Sequence, residues 1–261
     1  MRDVRASFDR IADRYDETRA YPAGVIERIA AAVEGNIPMN GRVLDIGVGT
    51  GRLAAPMRAC GFDVVGIDVS SMMLGKARGK GLDQLLLADA MALPFPDRSF
   101  PCSVSVHLTH LISDWLKVLS EVGRVTSERY ASVATEREGC EVEEMQRTYE
   151  EACAELGHEV KHPGLRERDL ARIIKPVKVV DVADSRETVL KADAIERYRT
   201  RIYSNIWEVP EHVHDHAMDR LEETYRPITT LERKERISLI VWDAESVREY
   251  AARADLAGRE D

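Results

Sequence analysis

An α/β fold built on a mostly parallel sheet is what this 261-residue sequence predicts, on three observations. Short apolar runs alternate with helix-favouring stretches through the first half of the chain. The first three runs each end in an aspartate (Asp45, Asp68, Asp89), at a spacing of about twenty residues. Between the first run and its helix stand three alternate glycines, Gly47, Gly49 and Gly51. Acids and a glycine turn at the carboxyl ends of parallel strands mark the edge where open α/β sheets bind ligands.

The elements follow in order. Residues 4–14 and 23–33 read as helices that precede the sheet, with Tyr21 and Pro22 breaking between them. Val43, Leu44 and Ile46 form strand one, and the glycines allow a tight turn into a helix over 52–60. Residues 63–68 form strand two, after which Ser70 caps a helix beginning at Ser71. Residues 84–88 form strand three, a turn-rich loop covers 94–99, and 102–107 form strand four. Trp115, Val118, Leu119 and Val122 share one face of a helix over 114–123, and 130–135 form strand five. Beyond it, helices are expected over 140–156, 167–174, 192–206 and 211–225, with strands at 177–183 and 236–242.

Composition sets bounds. With 44 % apolar residues the chain can build one core of about this length. A net charge of −9 argues against a nucleic-acid surface, because phosphate contacts need clustered cations. Cys60, Cys102, Cys140 and Cys153 lack paired spacing and read as reduced core thiols of a cytoplasmic protein. No apolar run reaches the roughly 18 residues of a membrane span, and nothing reads as a signal peptide, so no membrane partner is expected.

The glycine loop leaves a ligand free to lie against the backbone at a helix N-terminus. Asp45 discriminates between ligands: a carboxylate there repels a pyrophosphate and suits a ligand with an ammonium group, such as S-adenosylmethionine (SAM). A dinucleotide reading competes, since Gly49, Gly51 and Ala54 satisfy G-x-G-x-x-A and Asp68 lies where a ribose acid belongs. Asp68 can accept both ribose hydroxyls of either cofactor, and Asp89 can accept from an adenine amine.

At this point the chain resembles the class I SAM-dependent methyltransferases of the small-molecule type. The segments that carry the likeness are VLDIGVGTGRLA (43–54), VVGIDVSSMMLGKAR (64–78), LLLADAMALPFPDRSF (85–100) and SVSVHLTHLISDWLKVLSEVGRV (103–125). FDRIADRYDETRAYP (8–22) is similar to the helix that many members fold over the cofactor. The resemblance implies a Rossmann-like seven-stranded, mostly parallel sheet with helices on both faces, its last strand antiparallel. It implies a single domain whose core covers about 38–136, 166–189 and 230–243, with helical cap insertions at about 139–165 and 190–229. It also implies SAM as cofactor, S-adenosylhomocysteine (SAH) as product and an unidentified small-molecule acceptor. The cofactor set it assigns is Tyr15, Arg19, Asp45, Gly47, Gly49, Gly51, Asp68, Val69, Met73, Asp89, Ala90 and Val106. Where most members carry Lys-Pro-Gly-Gly before strand five, this chain reads Thr126-Ser127-Glu128-Arg129.

The remaining candidates each carry two readings. His107 and His110 follow strand four and could take a proton from an attacking oxygen or nitrogen, or could merely pack and face solvent. His212 and His216 have a metal-ligand spacing on one helix face but no third ligand, so they read as helix surface and no metal is expected. Tyr198, Ile202 and Ile206 recur at helical spacing, as core or as pocket lining shared with Tyr203 and Trp207. Phe8, Ile11, Ala12 and Tyr15 form one apolar face, either a lid with Asp9 and Arg10 in water or a fixed helix, and Arg19 follows as a partner for a carboxylate. A nicotinamide oxidoreductase and a non-catalytic SAM-binding protein remain the alternatives to a methyltransferase.

Overall fold

A computed structural model describes residues 8–9, 12–18, 21–38, 41–137 and 139–257. Ile11, Arg10 and Arg19 therefore lie outside the described residues. A short 3-10 turn (Ala12–Arg14) leads into α1 (Tyr15–Thr18), followed by α2 (Val25–Glu34). The first half then alternates as β1 (Arg42–Ile46), α3 (Ala54–Ala59), β2 (Asp63–Asp68), α4 (Ser71–Gly79), β3 (Leu85–Leu87) and β4 (Phe100–Val106). It continues with α5 (Trp115–Val125) and β5 (Thr126–Glu136). The second half carries α6 (Glu141–Glu155), α7 (Glu167–Ile173), β6 (Lys178–Leu190), α8 (Lys191–Arg199), α9 (Glu211–Thr224), β7 (Thr230–Asp243) and α10 (Ala244–Ala257).

Seven strands form one sheet in the order β3-β2-β1-β4-β5-β7-β6. The pairs β2–β3, β1–β2, β1–β4 and β4–β5 are parallel. β7 runs against both neighbours. Along it Asp243 meets Arg129 while Glu235 meets Arg137, and Ser238 meets Asp181 while Arg233 meets Glu187. Register fixes which side chains are buried, and β1 is enclosed on both faces, with Val43, Leu44 and Ile46 at 0 % exposure.

Contacts divide the chain into two units. The first holds the described residues up to Ala134, Gly164–Val182 and those from Ser238; the second holds Thr135–Pro163 and Ala183–Ile237. Each has its own core. In the first, Leu44, Ile46, Tyr130 and Trp242 pack with the buried face of α5, and the Tyr130 and Trp242 rings stack at 5.4 Å. In the second, Met145, Tyr149 and Cys153 of α6 pack against Ile195, Tyr198, Val213 and Leu221. Tyr149 and His214 share a hydrogen bond of 2.6 Å inside that core.

Several elements differ from expectation. α5 passes straight into β5 at Thr126, so Thr126–Arg129, which precede the strand expected over 130–135, begin it instead. A bulge between Phe100 and Cys102 absorbs them, the Thr126 and Ser103 hydroxyls meet at 2.8 Å, and Arg129 reaches Asp243. β6 runs seven residues beyond Ala183, because Arg186 and Glu187 find partners on β7. The helix expected over 192–206 stops at Arg199; Arg201 takes φ 49° and a 3-10 turn covers Ser204–Ile206. Cys60 is half-buried rather than buried, and all four cysteines are free. α10 was not foreseen. It packs on α5, where Gly123 leaves room for the Arg248 backbone.

A Cβ on Gly123 would lie 2.9 Å from Arg248 Cα. Gly123→Ala should therefore destabilise the first unit by about 1–3 kcal/mol through overpacking. A shift of the urea midpoint at unchanged slope would show it, and an unshifted midpoint would mean that the two helices separate without cost.

Candidate functional site

The site is built at the carboxyl ends of β1 and β2. Gly47 N and Val48 N both donate to Ile67 O, at 2.9 and 2.8 Å, which ties the glycine loop to the end of β2. Gly47, Gly49 and Gly51 take φ of 74°, 56° and 74°, values that other residues adopt at a cost. At Gly51 space adds to this demand, since a Cβ would strike the side chains of Leu82 and Ala77. At Gly49 the nearest atom to an added Cβ would be Gly47 O at 3.9 Å, so the loop keeps an open backbone there.

Two carboxylates stand beside this loop. Asp45 is 2 % exposed, and burial, with the charge of Asp68 second, pushes its carboxyl from 3.8 up to about 7. Burial also raises Asp68, and three backbone N–H groups (Ser70, Gly49 and Val69) oppose it. Gly49 N donates to Asp68 Oδ2 at 2.9 Å and Ser70 N to Oδ1 at 2.8 Å, so the carboxylate is fixed in orientation. Ser70 Oγ caps α4 by accepting from Met73 N at 3.1 Å, as its sequence position suggested.

A cleft opens in front of the loop. Asp45, Gly47, Val48, Gly49, Thr50 and Val106 form its floor, and Tyr15, Tyr21 and Arg52 stand around it. The Arg52 guanidinium lies 4.8 Å from the Tyr21 ring centre and 6.0 Å from that of Tyr15, within cation–π range. The leading segment is pinned to the same edge. Asp16 accepts from Thr50 Oγ1 and Lys80 Nζ, each at 2.5 Å, and these partners outweigh burial to lower its carboxyl. Asp9, expected in water, accepts from Ser70 Oγ.

The turn after β4 supplies the basic groups. His107 takes φ 54°, and its Nε2 lies 2.9 Å from Tyr21 Oη. The His107 and His110 rings are 5.8 Å apart, edge to face. His110 Nδ1 faces Glu167 Oε1 at 3.5 Å. Glu167 is brought here by a staple between two loops: Gly164 N donates to His110 O at 3.1 Å and Thr109 Oγ1 to Leu165 O at 2.7 Å. A Cβ on Gly164 would collide with the carbonyl oxygens of Thr109 and Ile112.

Of the residues singled out in the sequence, Tyr15, Asp45, Gly47, Gly49 and Val106 share the cleft. Asp68 joins it through Gly49, and Gly51 stands behind the loop. Val69 is half-buried beside Asp68, while Met73 and Ala90 are buried. Asp89 is exposed and accepts from Met91 N at 2.8 Å, closing a turn. His216 pairs with Glu155 at 2.9 Å and His212 is exposed. Tyr198, Ile202 and Ile206 are core. The sequence reading missed Tyr21, Arg52 and Glu167. Tyr21 was noticed only as a helix break, and Pro163-Gly164 was the one local signal of the staple that carries Glu167.

Residues 44–129 match the family model described as a methyltransferase domain. In this stretch, about a third of the chain, the sequence is similar to a methyltransferase domain. Among curated proteins, a demethylmenaquinone methyltransferase of Renibacterium salmoninarum is 37 % identical over 48 % of this chain and 54 % of its own length. A phosphatidylethanolamine N-methyltransferase of Cereibacter sphaeroides is 41 % identical over 33 % of this chain and 45 % of its own. The chain thus spans about half the length of the curated relatives it matches. The fold extends further than the sequence likeness. The YcgJ protein of Bacillus subtilis superposes with a TM-score of 0.51 at 18 % identity, over 84 % of this chain and 97 % of that one. A structure from Thermotoga maritima described as a SAM-dependent methyltransferase gives 0.52 at 18 %, over 91 % and 98 %. The methyltransferase match covers the glycine loop itself. Among the described residues no helix is long and apolar enough to cross a membrane.

The raised carboxyl of Asp45 has a consequence for stability. In the ligand-free fold it binds its proton more tightly than in the unfolded chain, so its contribution is complete below pH 3.8 and is lost as pH rises toward about 7. Stability should therefore fall across that window, and Asp45→Asn should flatten the fall. Denaturation midpoints at pH 4.5 to 7.5, on the order of half-unit steps, would test this; the same slope in both proteins would refute it.

Proposed function

We propose that this chain transfers the methyl group of SAM to a small-molecule acceptor. The observation that carries the reading is a pair of carboxylates, the buried Asp45 and the half-buried Asp68, set against an open-backbone glycine loop. Such a site disfavours phosphate and suits a ligand carrying an ammonium and a vicinal diol. The residues fit SAM. Asp45 would take the ammonium, Asp68 the ribose hydroxyls and the loop from Gly47 to Gly51 the closest approach. Val69, Met73, Asp89 and Ala90 would border the adenine, Val106 the methionine portion, and Tyr15 and Arg19 would close over it. When bound, SAM supplies a methyl group already activated by its sulfonium.

Little more is asked of the protein than alignment and exclusion of water. Tyr15 and Tyr21 wall the cleft on the side of the leading segment, with the Arg52 guanidinium 4.8 Å from the Tyr21 ring centre and 6.0 Å from that of Tyr15. In this reading His107 and His110 would be the groups that accept a proton from an acceptor's oxygen or nitrogen when no metal ion holds them. His107 meets Tyr21 Oη and has a left-handed backbone. The relatives' names give different acceptors, a demethylmenaquinone and a phosphatidylethanolamine, so neither is carried over to this chain.

Calorimetry with SAM on wild type and Asp68→Ala tests the cofactor assignment. Loss of charge-assisted bonds to the ribose should weaken binding about ten- to a hundredfold in a folded variant. SAH formation over a panel of metabolites, including a demethylated quinone, should then identify the acceptor. Unchanged affinity in Asp68→Ala, or no binding of SAM by wild type, would overturn the reading.

A further inference from the structure

We infer that His107, His110 and Glu167 form a site for one divalent first-row transition ion beside the cofactor cleft. One donor atom from each lies within 4.8 Å of the other two. The three come from two separate segments, the turn after β4 and the first residue of α7, so their convergence is a product of tertiary structure. That convergence is enforced at Gly164, where the carbonyls of Thr109 and Ile112 leave no room for a side chain.

A second observation points to a ligand. Glu167 is 5 % exposed, and its Oε1 has no hydrogen-bond partner among the described residues. A buried carboxylate oxygen left in that state costs free energy that a cation would offset. That oxygen is directed at His110, the neighbouring imidazole, whose side chain is 12 % exposed. His107 completes the set from a backbone conformation, φ 54°, that residues with a side chain seldom hold.

The donor set selects the ion. Two imidazoles and one carboxylate suit zinc, iron, cobalt or manganese and leave coordination positions open, whereas magnesium and calcium favour all-oxygen shells. Donors at about 2.0–2.2 Å from one ion lie roughly 3–4 Å apart, so closure requires the side chains to draw together slightly. The site borders the cleft through Tyr21, which lines it and lies 2.9 Å from His107 Nε2. An imidazole bound to the ion is no longer a proton acceptor. An acceptor bound to the ion would have its pKa lowered and could lose its proton to solvent water. Binding of the ion does not depend on the methyl-transfer reading and can be measured without SAM.

The test is titration of chelator-treated full-length protein with Zn²⁺ and with Mn²⁺, by calorimetry and by the shift in melting temperature. Wild type should bind one equivalent and melt higher with Zn²⁺ present. His110→Ala and Glu167→Gln should each weaken binding by more than about tenfold and lose the melting shift. The two variants back each other should one fail to fold. His212→Ala/His216→Ala should bind as wild type does. Absence of binding, binding unaffected by both site variants, or binding lost in the surface double variant would overturn the proposal. SAM calorimetry on the metal-free wild type separates the two readings, since SAM binding without metal binding removes only this one.

Discussion

Holding two carboxylates, Asp45 buried and Asp68 half-buried, at the ends of two adjacent parallel strands is the constraint to which the rest of the first unit answers. β1 and β2 pair in register through Asp45 and Gly66, and each strand delivers its acid to the same edge. Desolvation works against both charges, and the fold compensates only one of them well. Asp68 is cradled by backbone N–H groups of the glycine loop and of the α4 start. Asp45 has burial and a neighbouring negative charge acting on it together. The glycines let the loop bend close enough to offer those N–H groups while keeping its own backbone open to a ligand. A site of this kind stores an unmet preference for positive charge, and a cationic ligand is what relieves it.

The same edge is closed by polar bonds from the leading segment. Asp13 and Asp16 reach Lys76 and Lys80 on and just after α4, and Asp9 reaches Ser70. Tyr15 and Tyr21 thereby come to stand over the loop with Arg52 between them. Exposed ion pairs of this sort contribute little each. Tyr21 also links this segment to His107, so the cofactor edge and the basic turn after β4 share one side chain.

Legibility in the sequence followed the range of the interactions. β1, β2, the glycine loop and the Ser70 cap rest on neighbours in sequence, and their residues announced them. The helix-to-strand passage at Thr126 did not, because it depends on a bulge opposite Phe100 and on Asp243 more than a hundred residues away. The length of β6 was hidden for the same reason, since Arg186 and Glu187 look like loop residues until β7 stands beside them. α10 had a helical composition that could have been read. In the site, the acids were visible as strand ends, whereas Glu167 sits among five charged residues between 166 and 172 with nothing local to single it out. Only the staple through Gly164 makes it a neighbour of His110.

The central claim is that Asp45 is the charge a cationic ligand satisfies. Calorimetry of SAM binding near pH 6.5, repeated in buffers of different ionisation enthalpy, counts the protons exchanged on binding. With its carboxyl at about 7 in the free protein, Asp45 is largely protonated there and should ionise when an ammonium group arrives. The account predicts net proton release that fades above about pH 8 and is absent in Asp45→Asn. Binding of SAM with no proton exchange, or with the same release in Asp45→Asn, would contradict it.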